Sequence, residues 1–462
     1  MANSLATEDR KKGAIQEFRY ILETYILPLL RTEGSLILKV EPTFSKRLEK
    51  HIGCHKKRGE HYLYFFPALS TPQFHYRIKT NHPKQKLGAA ERILREILLV
   101  SQFDYRSKDF TKANYYDINN LYRNARFDVA FEIGLCGWLG GECIYGLIER
   151  LRDWSQKTYE GNHMSFGFII DATKTTVGEV DYLSFLKSNH SAVFTDGMSS
   201  GIKLDCNGRI VKYFSAVQEK PEGRFKHTTW TPYEFVDFAN KCHFHNGSQW
   251  IGIIMQSNGD MLVFKSKHLV FVKRNGKWIY LDSHNINSII QTKYKDYGLA
   301  DESESKKFAD EVYLSILDTS FAHTGGCIAI VDSKNIEVVK LQCFPKDSLD
   351  NEVDSTEKKA IIGRLISTGS VDGEKQYFQY LDRKLRLELL SLDGATVIDS
   401  SGRILCVGAI VKVEGGSEDG GRTAAAKELA KYGLSMKISV DGTIKCFITD
   451  DNHKLKELFR TL

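Results

Sequence analysis

Two short stretches near the end of the chain carry residues that could do chemistry, Asp393-Gly394-Ala395 and Gly420-Gly421-Arg422. Asp393 stands between a helical pattern and a strand pattern, where a carboxylate can bind a divalent metal ion or polarise a ribose 3′-hydroxyl. The small residues after it let a ligand approach the backbone closely. This combination predicts a site for a nucleoside triphosphate together with Mg²⁺ or Mn²⁺, with Asp393 as the metal ligand.

The second stretch opens a helix. Gly420 and Gly421 leave backbone N–H groups available at a helix N-terminus, which is a natural site for phosphate. Arg422 adds a planar cation that can bind phosphate oxygens in a bidentate manner. Because a cation is unfavourable at the positive end of a helix dipole, its position favours a bound anion over an ordinary surface arginine. For Asp393 the plainer alternative is a turn-capping carboxylate.

These residues need a framework of helices and strands to position them. The pattern predicts a helix ending in YLDRKLRLELLS, the strand DGATVID, a turn at Ser400-Ser401-Gly402 and the return strand RILCVGAIVKV. A glycine-rich loop, the helix TAAAKELAKYG and a hairpin around Asp441-Gly442 follow. A mixed order of helices and strands with an internal hairpin predicts an α/β domain, in which helices flank a mixed sheet.

The bulk composition predicts a soluble, cytoplasmic protein of several domains. The chain has 462 residues, 42% of them hydrophobic and 26% charged, and its net charge is +6. No apolar run approaches the roughly 20 residues that span a bilayer, so we expect no membrane partner. The nine cysteines occur singly and are typical of reduced thiols. The modest positive charge allows an anionic ligand; nucleic acid is a further alternative that no motif supports.

Three regions are predicted. Residues 1–163 form an α/β region, with helices expected over 8–32 and 89–102 and strands between them. Residues 164–302 contain alternating strands with Asn-Gly turns and predict an antiparallel sheet unit. Residues 303–462 form the nucleotide-binding domain. The first 300 or so residues contain none of the common catalytic motifs.

The C-terminal region resembles the diadenylate cyclase family, whose domain joins two ATP molecules into cyclic di-AMP. The stretch LSLDGATVIDSSGRIL is similar to the family's DGA signature and its surroundings. The family's second signature, G-T-R-H-R-x-A, aligns without gaps with residues 420–426. A later strand and turn, ISVDG, also fits. The resemblance covers about a third of the chain and rests on the order and spacing of these motifs.

The resemblance implies a reaction and a set of site residues. In the family, the 3′-hydroxyl of one ATP attacks the α-phosphate of another, held by a facing domain with its own metal ion. The chain is therefore expected to form a homo-oligomer with facing domains. The predicted catalytic residues are Asp393 and Arg422. The predicted nucleotide contacts are Gly394, Ala395, Val411 (beside an adenine pocket), Gly420, Gly421, Thr423 and Ser439, whose hydroxyl would reach the phosphates.

One departure from the family leaves two hypotheses open. Where the family has histidine and a second arginine, this chain has Thr423 and Ala424. Loss of a cationic group from a phosphoryl-transfer site reduces the rate by orders of magnitude. The first hypothesis is a cyclase controlled by an N-terminal sensor, as in bacterial relatives. The second is an inactive, cyclase-like sensor that binds ATP or a cyclic nucleotide in a stress or anti-phage signalling system.

Overall fold

The computed structural model shows an α/β protein with two compact units. Unit 1 comprises Met1–Val217, Asn240–Ser266 and Val270–Tyr280, and unit 2 comprises Gln218–Ala239, Lys267–Leu269 and Leu281–Leu462. The structure describes residues 34–37, 52–57, 60–65, 75–80, 129, 132–136, 139, 143–173, 175, 180–187, 194–216, 230–242, 250–281, 283–296, 301–349, 357–369, 377–413, 420–450 and 452–461. The helices predicted over 8–32 and 89–102 lie outside these residues, and the three-region division stays a prediction.

Unit 1 contains two larger sheets and a short hairpin. Its strands are β1 (Gly34–Ile37), β2 (Ile52–Lys57), β3 (Glu60–Phe65), β4 (His75–Thr80), β5 (Thr158–Tyr159), β6 (Asn162–His163), β7 (Phe166–Asp171), β8 (Ser200–Leu204), β9 (Ile210–Ser215), β10 (Trp250–Met255), β11 (Met261–Lys265), β12 (His268–Arg274) and β13 (Lys277–Tyr280). The strand orders are β1-β4-β3-β2 and β13-β12-β11-β10-β7-β8-β9. The helices of unit 1 that are described over their whole length are α1 (Cys143–Trp154) and α2 (Tyr182–Lys187). Helix α3 (Val236–Lys241) belongs to unit 2 as far as Ala239 and to unit 1 from Asn240.

The antiparallel sheet unit predicted over 164–302 needs one correction, because β7 and β8 pair in parallel. A parallel pair needs a crossover connection, and α2 lies in the segment that joins these strands. The predicted Asn-Gly hairpins are confirmed. Asn275 and Gly276 have φ of 50° and 75°, the left-handed values that a tight turn between β12 and β13 requires. No helix of the described residues is long and apolar enough to cross a bilayer.

Unit 2 is built on one mixed sheet. Its strands are β14 (Gly326–Val331), β15 (Ala395–Asp399), β16 (Ile404–Ala409), β17 (Gly433–Ile438), β18 (Ile444–Thr449) and β19 (Leu455–Thr461), in the order β16-β15-β14-β17-β18-β19. Only β14 and β15 pair in parallel among these strands. The helices are α4 (Ser283–Asp296), α5 (Glu302–Phe321), α6 (Ile336–Gln342), α7 (Glu357–Thr368), α8 (Arg383–Ser391) and α9 (Gly421–Leu429). The predicted α/β class is confirmed.

Helix α9 covers one face of this sheet. Ala425, Ala426 and Leu429 are buried against strand residues such as Cys327 and Phe447 in a single apolar cluster. The three alanines at 424–426 provide small side chains, so the helix can lie close to the strands. The hydroxyl of Ser435 on β17 donates to the carbonyl of Ala426, which fixes the helix over that strand.

Helix α8, which leads into Asp393, is held by capping and by buried ion pairs with α5. The carboxylate of Asp382 accepts the N–H groups of Lys384 and Leu385 and caps the helix N-terminus. Arg383 binds both carboxylate oxygens of Asp318, at 2.7 Å each. Arg386 is almost fully buried and donates to Ser315 at 3.1 Å. Bidentate pairs of this kind fix the orientation of a helix, and hence of the residue after it.

Candidate functional site

Most of the predicted site residues lie at one edge of the unit 2 sheet, which we call the site edge. It consists of the starts of β14, β15 and β18 and the ends of β16 and β17. In the ladder, Gly326 lies opposite Ile438 and Ala395 lies opposite Ala409. Segments far apart in sequence therefore meet at one edge, and the first turn of α9 lies beside it.

Asp393 and Arg422 come together at this edge. One oxygen of the Asp393 carboxylate lies 3.7 Å from Nη2 of Arg422. The Asp393 side chain is 90% exposed, whereas that of Arg422 is 28% exposed. A separation of 3.7 Å is too long for a hydrogen bond. The Nε of Arg422 is buried and has no hydrogen-bond partner among the described residues. A phosphate group could therefore reach only the exposed part of the guanidinium, which lies beside Asp393.

The guanidinium lies over a tight turn at the start of β14. Its Nη1 is 2.5 Å from the position that a Cβ of Gly325 would take, and Gly325 has φ of +69°. Any side chain there would displace Arg422. Beneath it, burial raises the pKa of the Cys327 thiol to about 12, while the charge of Arg422 acts in the opposite direction. Cys327 is thus a neutral residue of the core at physiological pH.

Gly394 lies against the backbone of β16. It has φ of +103°, and a Cβ at this position would be 2.5 Å from the carbonyl carbon of Gly408 and 2.6 Å from the oxygen of Ala409. Ala395 is fully buried in the core cluster, so only its backbone can face a ligand. Strand packing thus already accounts for the small size of both residues. Their predicted contact with a nucleotide stays a prediction.

The start of α9 is open. A Cβ on Gly420 or Gly421 would meet nothing within 4 Å, and no side chain caps the helix at Gly420. Thr423 and Ala424, by contrast, are buried, at 5% and 8% exposure. The open backbone can accommodate a ligand, whereas Thr423 and Ala424, which stand in place of the signature's histidine and second arginine, are packed inward.

Ser439 follows β17 in the predicted hairpin. The ammonium of Lys437 donates to the hydroxyl of Ser439. The backbone N–H of Ser439 donates to the carbonyl of Thr443 at 2.8 Å. Asp441 accepts the N–H of Thr443 at 3.0 Å. Burial alone would raise the pKa of Asp441, but hydrogen bonds from Thr443 and Ser439 and the charge of Lys437 lower it overall. The turn thus holds one carboxylate and one ammonium side by side.

Apolar side chains border the site edge. Leu392, Ile410 and Val440 are 41%, 68% and 58% exposed. Val440 approaches within 3.3 Å of the Cβ position of Gly325. Val411 is partly buried against the core cluster, behind the exposed Ile410. Exposed apolar side chains thus lie beside the polar groups of the site edge.

The fit of a metal ion depends on Asp393. Mg²⁺ is commonly bound by one or two carboxylates together with phosphate oxygens and water. The exposed carboxylate of Asp393 suits this arrangement. Among the described residues, no group of three or more His, Cys, Asp or Glu side chains could hold a metal. A metal ion here would therefore need oxygen ligands from a bound nucleotide.

Three lysines near the site edge were missed from the sequence. Lys358 of α7 donates to the carbonyl of Gly408 at 2.7 Å, close to Asp393. Lys437 and Lys445 lie directly opposite each other on β17 and β18. The pair Lys437 and Lys445 could have been predicted from the sequence. Both lysines are equally far in sequence from Asp441, the centre of the predicted hairpin, and such residues lie opposite each other on its two strands. Nothing local in the sequence marks Lys358.

No protein-family model matches the chain, and no curated protein is significantly similar to it.

Proposed function

We propose that unit 2 binds a nucleoside triphosphate at the site edge and condenses two ATP molecules into cyclic di-AMP. The supporting observation is that the partly exposed guanidinium of Arg422 lies 3.7 Å from the exposed carboxylate of Asp393. A guanidinium beside an exposed carboxylate is suited to binding a phosphate and its metal ion. The resemblance to the diadenylate cyclase signature supplies the reaction.

In that reaction the 3′-hydroxyl oxygen of one ATP attacks the α-phosphorus of a second ATP. A new P–O bond forms, the bond to the β-phosphate oxygen breaks, pyrophosphate leaves and the hydroxyl proton is released. The same step on the other side closes the ring. Arg422 would stabilise the charge on the α-phosphate, and Asp393 would orient the 3′-hydroxyl. A metal ion bound by Asp393 would neutralise phosphate charge. Two copies of unit 2 must face each other for this chemistry.

A binding protein without turnover is the second candidate. The specific observation that favours it is the burial of Thr423 and Ala424, which stand where the family has histidine and a second arginine. Neither side chain can donate to a phosphate from a packed position. Under this alternative, unit 2 binds ATP or a cyclic nucleotide and signals through unit 1, in a stress or anti-phage response.

The test is an incubation of the purified full chain with radiolabelled ATP and either Mg²⁺ or Mn²⁺. The variants are Asp393→Asn and Arg422→Ala, and the matched controls are Glu337→Gln on α6 and Arg403→Ala. If unit 2 is a cyclase, cyclic di-AMP should form, and each site variant should lower the rate of its formation by about 100-fold or more. The control variants should keep the wild-type rate.

If unit 2 is a binding protein without turnover, ATP or cyclic di-AMP should bind and no product should form. Arg422→Ala should then weaken this binding by at least about tenfold. If neither nucleotide binds and no product forms with either metal, both candidates are wrong.

A further inference from the structure

A row of cations crosses the sheet at the site edge on the face covered by α9. It begins at Arg422, which lies near Cys327 of β14. Lys437 of β17 lies directly opposite Cys327, and Lys445 of β18 lies directly opposite Lys437. Three neighbouring positions therefore carry a positive charge.

The face on which the two lysines lie follows from their neighbours. Ser435, two residues before Lys437, donates to Ala426 of α9. Phe447, two residues after Lys445, lies opposite Ser435 and packs in the cluster below α9. Side chains two residues apart on a strand share a face. Lys437 and Lys445 are thus on the α9 face, and both are half-buried.

Like charges directly opposite each other on a sheet are destabilising. Asp441 interacts with the charge of Lys437, and Asp393 lies beside Arg422, so these two carboxylates face a row of three cations. The hydrogen bond from Lys437 to Ser439 directs its ammonium toward the site edge. The arrangement is unfavourable alone and becomes favourable with a polyanion bound along it.

We propose that Lys437 and Lys445 bind the β- and γ-phosphates of the nucleotide, an inference that rests on the proposed function. Adjacent strands are about 4.8 Å apart, so the row extends over roughly 10 Å from β14 to β18, a span on the scale of a triphosphate chain. The triphosphate runs from Asp393 and Arg422 across β17 toward β18. The two lysines supply the positive charge that Thr423 and Ala424 do not. In the cyclase reaction they hold the departing pyrophosphate.

The experiment is isothermal titration calorimetry on the full chain with three probes: ATP, AMP and inorganic tripolyphosphate. The test protein is the double variant Lys437→Gln, Lys445→Gln. The matched control is Lys456→Gln, an exposed lysine of β19 opposite Ile448, which lies on the other face of the sheet. Thermal unfolding of each variant verifies that it is folded.

We expect the double variant to bind ATP and tripolyphosphate about 100-fold more weakly, since each charge-assisted hydrogen bond contributes about tenfold or more. AMP binding should change little, and Lys456→Gln should behave like the wild type. Equal weakening of ATP and AMP, or no weakening of either, would overturn the inference. Failure of the wild-type chain to bind tripolyphosphate would also overturn the inference. This outcome includes the case in which the lysines bind a single-stranded oligonucleotide instead.

The two proposals can fail separately. If tripolyphosphate binds through the lysines but ATP neither binds nor reacts, the proposed function is wrong and the polyphosphate site stands. If ATP binds or reacts equally well in the double variant, the inference about the lysines is wrong and the proposed function stands.

Discussion

Gly394→Ala tests how the residue after Asp393 is positioned. A Cβ at this position would be 2.5 Å from the carbonyl carbon of Gly408 and 2.7 Å from its oxygen. These are backbone atoms of β16 and cannot rotate away like a side chain. The φ of +103° adds strain for any residue with a Cβ.

The backbone strain and the overpacking together give the expected loss of stability. A non-glycine residue in this backbone region costs about 1–3 kcal/mol, and overpacking against fixed atoms costs about 1–3 kcal/mol more. We therefore expect Gly394→Ala to lower the free energy of unfolding by roughly 2–6 kcal/mol. For a unit of this size, that lowers the midpoint of thermal unfolding by about 4–24 °C.

The assay is urea and thermal denaturation of the full chain, followed by circular dichroism. Gly363→Ala on α7 is the matched control, because a Cβ there meets nothing within 4 Å. Alanine is a better helix former than glycine, so this control should be more stable by about 0.5–1 kcal/mol. The reasoning is refuted if Gly394→Ala unfolds at the wild-type midpoint, or if the control loses as much stability.

Three further predictions concern stability. Asp382→Ala removes the cap of α8 and should cost about 1 kcal/mol in urea unfolding; an unchanged midpoint would contradict the role of this cap. Lys445→Gln relieves the repulsion with Lys437 and should stabilise the ligand-free chain by about 0.2–1 kcal/mol; destabilisation in thermal unfolding would argue against that repulsion. The thiol of Cys327 has an ordinary pKa of 9.0 and a folded pKa of about 12, so its contribution to stability is present below pH 9.0 and lost as the pH rises through 12. The difference in stability between wild type and Cys327→Ala should therefore be smaller at about pH 11 than at about pH 8 in urea denaturation, and a constant difference would contradict the raised pKa.

Much of unit 2 could be predicted from the sequence, because its signals are local. The apolar periodicity before Asp393 predicted the helix now seen as α8, and Gly402 marked the turn after β15. The hairpin around Asp441 was marked by its own Asp-Gly pair. Each of these elements is determined by neighbours within a few residues.

Other features of the fold and the candidate site could not be predicted, because they depend on contacts between distant residues that sequence periodicity does not encode. The parallel pairing of β7 with β8 follows from a crossover and not from either strand alone. The burial of Thr423 follows from the close packing of α9 on the sheet. Similarly, Lys358 reaches Gly408 from a helix 50 positions earlier in sequence. Such long-range contacts became visible only with the structure.

The pairing of β14 with β17 has a consequence for how the protein is made. It joins Gly326 to Ile438, so the central ladder of unit 2 closes only after the intervening segments have been synthesised. Long-range pairings of this kind slow folding. A nascent chain that has emerged only as far as β16 already carries Asp393, but β14 still lacks one of its two neighbouring strands. Translation through β17 must therefore precede completion of the site edge, and ribosome stalling within this stretch would yield a chain in which Gly326 has no partner on β17.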